Sequence, residues 1–123
     1  MIQRGIRGAI TVDNNNENDL KNAVVELISE IKNKNKFNDE DIAFVIFTMT
    51  DDLDCVYPAK FAREEFSSWS NVPLMCNQEL KIKNSLEKCL RVLVVINTEL
   101  GQSEIKHVYL KGAKKLRKDI VEK

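Results

Sequence analysis

Hydrophobic and polar residues alternate over residues 2–12, a pattern typical of a β-strand, and Arg7 shares the less apolar face of that strand with glycine and alanine. A run of Asp and Asn at residues 13–16 then suits a turn and a helix cap. Beyond this run, Leu, Val and Ile recur at helical spacing, which predicts a first helix over residues 17–35 with a polar outer face.

The rest of the chain predicts further strands and shorter helices. The strands are expected at residues 42–50, 72–76, 89–97 and 107–110, and the helices at residues 59–66 and 113–121. Residues 89–97 are apolar almost throughout, so we expect this strand to be buried on both of its faces. The length of 123 residues suits one domain, and we expect a single domain over residues 1–123.

Charge and composition exclude several classes of protein. Nineteen basic residues balance nineteen acidic ones, so no nucleic-acid partner is expected. No apolar stretch is long enough to span a bilayer and the first residues lack the apolar core of a secretory signal, so we expect no membrane partner and a cytoplasmic location.

Cys55, Cys76 and Cys89 form no CxxC pair, and His107 is the single histidine, so neither disulfides nor a metal site is expected. Phosphate-binding glycine motifs are absent as well, and no cofactor is expected.

Arg91 is the most informative residue, because it stands inside the apolar segment CLRVLVVIN. A guanidinium in a buried strand costs on the order of several kcal/mol unless an anion or a full set of acceptors meets it. An anion should therefore face Arg91. Two interpretations stay open at this point, an internal ion pair with a carboxylate and a bound anionic ligand.

Other charged and polar residues add to this picture. Arg7 lies beside strand glycines, where a ligand or another backbone can come close. Lys60 and Arg63 share one face of a short helix, Glu79 follows the third strand, and Tyr109 can orient a carboxylate. Each also has an ordinary structural interpretation, such as a solvated helix face or a half-buried strand residue. Taken together, several cations, one carboxylate and no paired nucleophile favour the binding of a small polyanion.

Five blocks of the sequence carry a resemblance to a known family. They are RGIRGAITV at residues 4–12, YPAKFAR at 57–63, VPLMCNQEL at 72–80, CLRVLVVINT at 89–98 and IKHVYLKGAKKLRKD at 105–119. In this order and along the whole chain, the blocks resemble the trimeric, monofunctional (Bacillus-type) class of chorismate mutase, and they are unlike the all-helical chorismate mutases. The resemblance implies an α+β subunit with a mixed β-sheet and helices on one side. It also implies that three subunits pack into a barrel-like homotrimer with active sites between neighbours.

The resemblance implies site residues as well. Arg91, Glu79 and Arg7 match the catalytic positions of the family. The substrate-binding positions that it implies are Arg7, Tyr57, Ala59, Lys60, Arg63, Leu74, Met75, Cys76, Glu79, Arg91, Tyr109 and Leu116. A neighbouring subunit is expected to contribute the four from Tyr57 to Arg63. Tyr57 stands where the family pattern has Phe, so the aromatic side of the substrate pocket is kept and gains a hydroxyl. Met75 stands where the pattern has a smaller polar residue, and its longer side chain narrows the pocket.

The reaction that the resemblance implies is an isomerisation, the rearrangement of chorismate to prephenate in the biosynthesis of phenylalanine and tyrosine. This intramolecular Claisen step requires no proton transfer, covalent intermediate or cofactor, which agrees with the lack of a nucleophile. Arg91 is expected to stabilise the negative charge that grows on the ether oxygen, while the other residues hold a compact conformation of the dianion. Two alternatives stay open. One is a non-catalytic trimer that binds a small dicarboxylate, which Met75 motivates, and the more distant one is another enzyme on a similar trimeric fold, such as an imine deaminase.

Overall fold

The computed structural model describes residues 1–117 and shows a five-stranded β-sheet with two α-helices. The strands are β1 (Ile2–Thr11), β2 (Ile42–Met49), β3 (Leu74–Gln78), β4 (Cys89–Thr98) and β5 (Val108–Leu110), and the helices are α1 (Glu17–Lys34) and α2 (Pro58–Glu65). Their order across the sheet is β3-β2-β4-β1-β5. The central strand β4 runs antiparallel to β1 and β2, whereas β5 is parallel to β1 and β3 is parallel to β2. The expected α+β fold with a mixed sheet is thus confirmed.

Both helices pack on one face of the sheet, where the main hydrophobic core lies. The buried residues of α1 recur at helical spacing and join the alternate residues of β1 and β4 that face them. Gly8 allows this close approach, because a Cβ atom there would lie only 2.8 Å from Cδ1 of Ile31 and 3.1 Å from Cδ1 of Leu27. The opposite face of the sheet carries no α-helix among residues 1–117, and only the 3₁₀ segment Lys111–Lys115 packs on part of it, through Ala113.

The ends of α1 follow from local chemistry. The predicted start is confirmed, because Asn16 caps the helix by accepting a hydrogen bond from the Asp19 N–H at 2.8 Å. At the other end, the buried amide of Asn35 donates to the carbonyl groups of Ile31 at 3.0 Å and Lys106 at 2.9 Å, and its oxygen accepts from the Lys106 N–H at 2.9 Å. Asn35 therefore joins the end of α1 to the segment that leads into β5.

Strand β4 is covered completely on one face and only in part on the other. Its alternate residues Leu90, Val94 and Ile96 are fully buried under the helices. On the other face, Cys89 and Val95 are buried, whereas Arg91 and Leu93 between them are only partly buried. The prediction of burial on both faces therefore holds for the helix side of β4 and for part of the far side.

Short 3₁₀ segments account for most of the differences from the predicted boundaries. One of them, Ser67–Asn71, leads into β3. This strand begins at Leu74 rather than at residue 72, because Pro73 has no N–H to donate; its carbonyl instead accepts a hydrogen bond from the Val45 N–H at 2.9 Å. Strand β5 likewise begins one residue later than predicted, at Val108.

The predicted helix over residues 113–121 is wrong in the part that the structure describes. A 3₁₀ turn at Lys111–Lys115 stands there, and residues 118–121 lie outside the described range. Lys111 has a φ of 53°, and the Gly112 N–H donates to the Thr11 hydroxyl oxygen at 3.0 Å. The chain is thus tied to the end of β1 instead of extending as a regular helix. Across residues 1–117, no helix is long and apolar enough to cross a membrane.

We expect Asn35→Ala to lower the free energy of unfolding by about 2 kcal/mol, because it leaves the N–H and C=O of Lys106 without their partly buried hydrogen-bond partner and removes a donor to Ile31. The measurement is urea denaturation at one fixed protein concentration. Asn15→Ala is the matched control, since Asn15 makes a similar pair of hydrogen bonds to Asp54 on the exposed surface. That control should cost less than about 1 kcal/mol. Equal losses in the two variants would contradict the role given to Asn35.

Candidate active site

A row of cross-strand neighbours crosses the sheet and places polar side chains on its uncovered face. In register, Arg91 on β4 lies between Ala9 on β1 and Thr48 on β2, and Ala9 in turn neighbours Tyr109 on β5. Directly opposite residues share one face of a sheet, so Arg91, Thr48 and Tyr109 project together. Arg7 lies two residues before Ala9 and projects from the same face. The register thus gathers three of the residues that the sequence singled out.

Glu79 joins this row from the end of β3. Its backbone N–H donates to the carbonyl of Met49 at 2.9 Å, which holds the residue beside β2. Its carboxylate oxygen Oε2 accepts a hydrogen bond from the Thr48 hydroxyl and lies 3.5 Å from Nε of Arg91. The anion that the burial of Arg91 requires is therefore present within the chain. We refer to Arg7, Thr48, Glu79, Arg91 and Tyr109 as the Arg91 group.

The ion pair leaves hydrogen-bond donors unused. Among the described residues, neither Nε of Arg91 nor the hydroxyl of Tyr109 has a hydrogen-bond partner, although both atoms are buried. Leaving such an atom unpaired costs about 1–3 kcal/mol. Both side chains line a cavity of about 290 Å³ together with Arg7. A ligand with negatively charged oxygen atoms would satisfy these donors, so the ion pair alone does not account for Arg91.

Cys89 and Leu116 form the apolar border of the Arg91 group. Cys89 is buried with Ala9, Tyr109 and Ala113, and Leu116 packs against this cluster. Burial raises the pKa of the Cys89 thiol, although the nearby Arg91 charge opposes the shift. The thiol is therefore neutral at pH 7 and does not offset the positive charge of Arg91.

His107 supports the backbone of Arg7. The Arg7 N–H donates to Nδ1 of His107 at 2.9 Å, which requires this ring nitrogen to be unprotonated. Burial lowers the pKa of His107, and the charges of Arg7 and Arg117 lower it further. The imidazole is thus neutral at pH 7 and serves as a hydrogen-bond acceptor.

The remaining predicted site residues lie elsewhere, around helix α2. The residues Tyr57, Ala59, Lys60, Arg63, Leu74, Met75 and Cys76 line a second cavity, of about 490 Å³, and we call them the α2 group. Tyr57 and Met75 are 74% and 59% exposed. Lys60 Nζ lies 3.8 Å from a carboxylate oxygen of Glu17, an exposed pair that leaves the ammonium accessible.

The two groups do not meet within one chain. No residue lines both cavities, and the α2 group includes Cys76, which the sequence comparison had associated with the same pocket as Arg91. Arg7 and Arg91 therefore line one cavity of the chain, and Lys60 and Arg63 line the other.

Comparisons with known proteins identify the family. A sequence model described as chorismate mutase type I matches residues 3–120. The protein named chorismate mutase AroH of Bacillus subtilis is 38% identical over 120 residues, which cover 98% of this chain and 94% of the relative. Its counterpart in Thermus thermophilus is 39% identical over 118 residues, 95% of each chain. A solved chorismate mutase structure from Clostridium thermocellum matches with a TM-score of 0.85 at 42% identity, covering 90% of this chain and 97% of that one.

The mixed sheet with both α-helices on one face is thus that of a small α+β enzyme. The chain belongs to the type I chorismate mutase family. This confirms the resemblance drawn from the five sequence blocks and distinguishes the chain from the all-helical enzymes of the same name.

Thr48 is the residue of the Arg91 group that the sequence analysis missed. Threonine is common in strands, and nothing in the segment 42–50 distinguishes it from an ordinary strand residue. The available signal was its place directly after the apolar Phe47, because successive residues of a strand point to opposite faces and the Thr48 hydroxyl therefore lies on the face opposite the core. In the described part of the chain, no group of three or more His, Cys, Asp or Glu side chains is arranged to hold a metal ion.

The histidine pKa provides a test of this geometry. NMR titration of the single imidazole should give a pKa below the usual 6.5, because burial and the Arg7 charge both disfavour the cation. Arg7→Ala should raise it, whereas Arg4→Ala should not, since Arg4 hydrogen-bonds to the carbonyl of Leu100 instead. The pKa of His107 is lower in the folded protein than in the unfolded chain, so on acidification the unfolded chain binds the proton first. The free energy of unfolding therefore falls as the pH drops below about 6.5. A pKa that is insensitive to Arg7→Ala would contradict the arrangement.

Proposed function

We propose that the chain catalyses the conversion of chorismate to prephenate as a single-domain isomerase of phenylalanine and tyrosine biosynthesis. The observation that carries the proposal concerns Arg91, which lines a cavity of about 290 Å³ in a chain of this family and whose buried Nε makes no hydrogen bond with the described residues. In the Claisen rearrangement, the ether C–O bond breaks while a C–C bond forms within one molecule. The protein has only to restrict the conformation of the substrate and to stabilise the developing charge.

The residues of the Arg91 group fit the separate parts of this task. Arg91 donates to the ether oxygen, where negative charge increases in the transition state. Arg7 and Tyr109 hold one carboxylate, and Glu79 accepts a hydrogen bond from the ring hydroxyl. These assignments are supported by the sheet face that Arg7, Arg91 and Tyr109 share and by the contact of Glu79 with Arg91. The Tyr109 hydroxyl, which has no hydrogen-bond partner among the described residues, supports them as well.

The α2 group supplies the second half of the site in this proposal. Lys60 and Arg63 attract the second carboxylate, while Tyr57 and Leu74 form the wall beside it. Within the proposed site, the exposed Met75 narrows the space next to Cys76. Leu116 lies with the Arg91 group and closes the site from the side of Tyr109.

We propose further that the subunits form a homotrimer in which each site takes the Arg91 group from one chain and the α2 group from its neighbour. The separation of the two groups within one chain supports this arrangement. So does the uncovered face of the sheet, where Ile46 and Leu93 are only partly buried and Phe44 and Met75 are exposed. Apolar side chains on a sheet face without helices are typical of a surface that another subunit covers.

The role of Arg91 predicts that Arg91→Ala lowers kcat by at least about a hundredfold, since a donor aimed at the developing charge is lost. The absorbance of chorismate measures the turnover, and circular dichroism checks the fold. Arg4→Ala is the control on the same sheet and should keep normal turnover, because its Nε donates to the carbonyl of Leu100 at 3.0 Å. Near-normal turnover in Arg91→Ala would contradict the assignment. Binding of chorismate by the unaltered chain without conversion would identify the non-catalytic binder instead.

The shared site predicts that two inactive variants restore activity to each other. When Arg91→Ala and Arg63→Ala subunits are unfolded together in equal amounts and refolded, roughly a quarter of the sites in a cyclic oligomer should contain both unaltered groups. Mixing Arg91→Ala with Glu79→Gln is the matched control and should restore nothing, because both changes affect the same group. One variant of each mixture is labelled with ¹⁵N before mixing, because Arg91→Ala and Arg63→Ala change the mass of the chain equally, and native mass spectrometry then verifies the mixed oligomers. Mixed trimers that stay inactive, or a stable monomer in solution, would refute the shared site.

A further inference from the structure

The contact between Glu79 and Arg91 is less close than their charges favour. A carboxylate and a guanidinium that meet freely usually form hydrogen bonds at about 2.7–2.9 Å. Here Oε2 of Glu79 lies 3.5 Å from Nε of Arg91, and that nitrogen makes no hydrogen bond with the described residues although it is buried. Some other contact must hold the carboxylate at this distance.

The Thr48 hydroxyl makes that contact. It donates to Oε2, the same oxygen that lies nearest to Arg91, from the residue directly opposite Arg91 in the β2–β4 register. The backbone of Glu79 is fixed independently by its hydrogen bond to Met49, the next residue along β2. Two adjacent residues of one strand therefore determine where the carboxylate stands.

We propose that Thr48 is a positioning residue that holds Glu79 away from Arg91 and so keeps the guanidinium free to bind the substrate. Thr48 donates its hydrogen bond to Oε2 of Glu79. The other carboxylate oxygen, Oε1, is then available to accept a hydrogen bond from the ring hydroxyl of the substrate. Without the hydroxyl of Thr48, the carboxylate can approach Arg91 and take up the donors that the ether oxygen requires. The inference rests on the proposed function and assigns to Thr48 a role that acts only through Glu79.

The first test is a pair of substitutions at position 48. Thr48→Val keeps the shape of the side chain and removes the hydroxyl, and it should lower kcat/KM for chorismate about tenfold, the effect of one hydrogen bond to a charged group. Thr48→Ser keeps the hydroxyl and should retain activity within about twofold. Thr98→Val is the control for loss of a strand hydroxyl elsewhere, since Thr98 accepts a hydrogen bond from the Leu100 N–H. Equal losses in the Val and Ser variants at position 48 would overturn the proposal.

A double-mutant cycle tests whether Thr48 acts through Glu79. In a Glu79→Gln background, Thr48→Val should change kcat/KM by less than about twofold, because the carboxylate that it positions is already absent. A tenfold loss in that background would overturn the proposal and assign a general packing role to Thr48.

A measurement that does not depend on turnover separates this inference from the proposed function. In protein labelled with carboxyl-¹³C glutamate, the Glu79 resonance is assigned by its loss in Glu79→Gln. It should move in Thr48→Val and stay in place in Thr48→Ser. An unmoved resonance in the Val variant would overturn the positioning role even if the unaltered enzyme converts chorismate. A shifted resonance in a chain that converts no chorismate would support the contact and refute the proposed function.

Discussion

The burial of one guanidinium sets the conditions for the rest of the molecule. Arg91 stands in the central strand, where the alternate residues Leu90, Val94 and Ile96 are fully buried beneath the helices. Because side chains alternate along a strand, a slip of one residue would carry the charge into that core. The apolar residues of β4 therefore fix its register, and the same register determines where the charge stands. Hydrophobic packing on one face thus specifies the electrostatics of the other, including the position of Glu79.

A sheet with one uncovered face suits chemistry that depends on placed charges. Strands are stiffer than loops, so the register fixes the backbone positions of Arg7, Arg91 and Tyr109 relative to one another without a ligand to arrange them. A neutral thiol at Cys89 and a neutral imidazole at His107 add no competing charge at pH 7. The α2 group is more exposed and lies apart from this rigid row. The chain thus carries two groups of candidate site residues that line different cavities.

Sequence patterns predicted those parts of the structure that depend on local or strand-level regularity. Arg91 stood out because a charge inside an apolar strand has few explanations, and Glu79 stood out because it ends a strand. Thr48 did not, since its role comes from a partner that lies 31 residues away in the chain. The C-terminal helix was wrongly predicted for a related reason: Gly112 bonds to Thr11, which is 101 residues away. Contacts between residues so far apart produce no periodic pattern in the sequence. The sequence likewise gives no sign that the Arg91 group and the α2 group line different cavities.

The pairing of β5 with β1 has a consequence for how the chain acquires its site. Arg7 and His107 are 100 residues apart in the sequence. A segment near the start of the chain and a segment near the end of the described residues therefore meet at one edge of the sheet. Contacts between such distant residues are slow to form, because a long loop must close before they contribute any stability. During synthesis, β1, β2 and β4 emerge well before β5, so a nascent chain presents Arg91 before Tyr109 can be placed beside it. The cavity beside Arg91 is therefore one of the last features to form, and a chain halted before β5 has Arg7 and Arg91 without the edge strand that borders them.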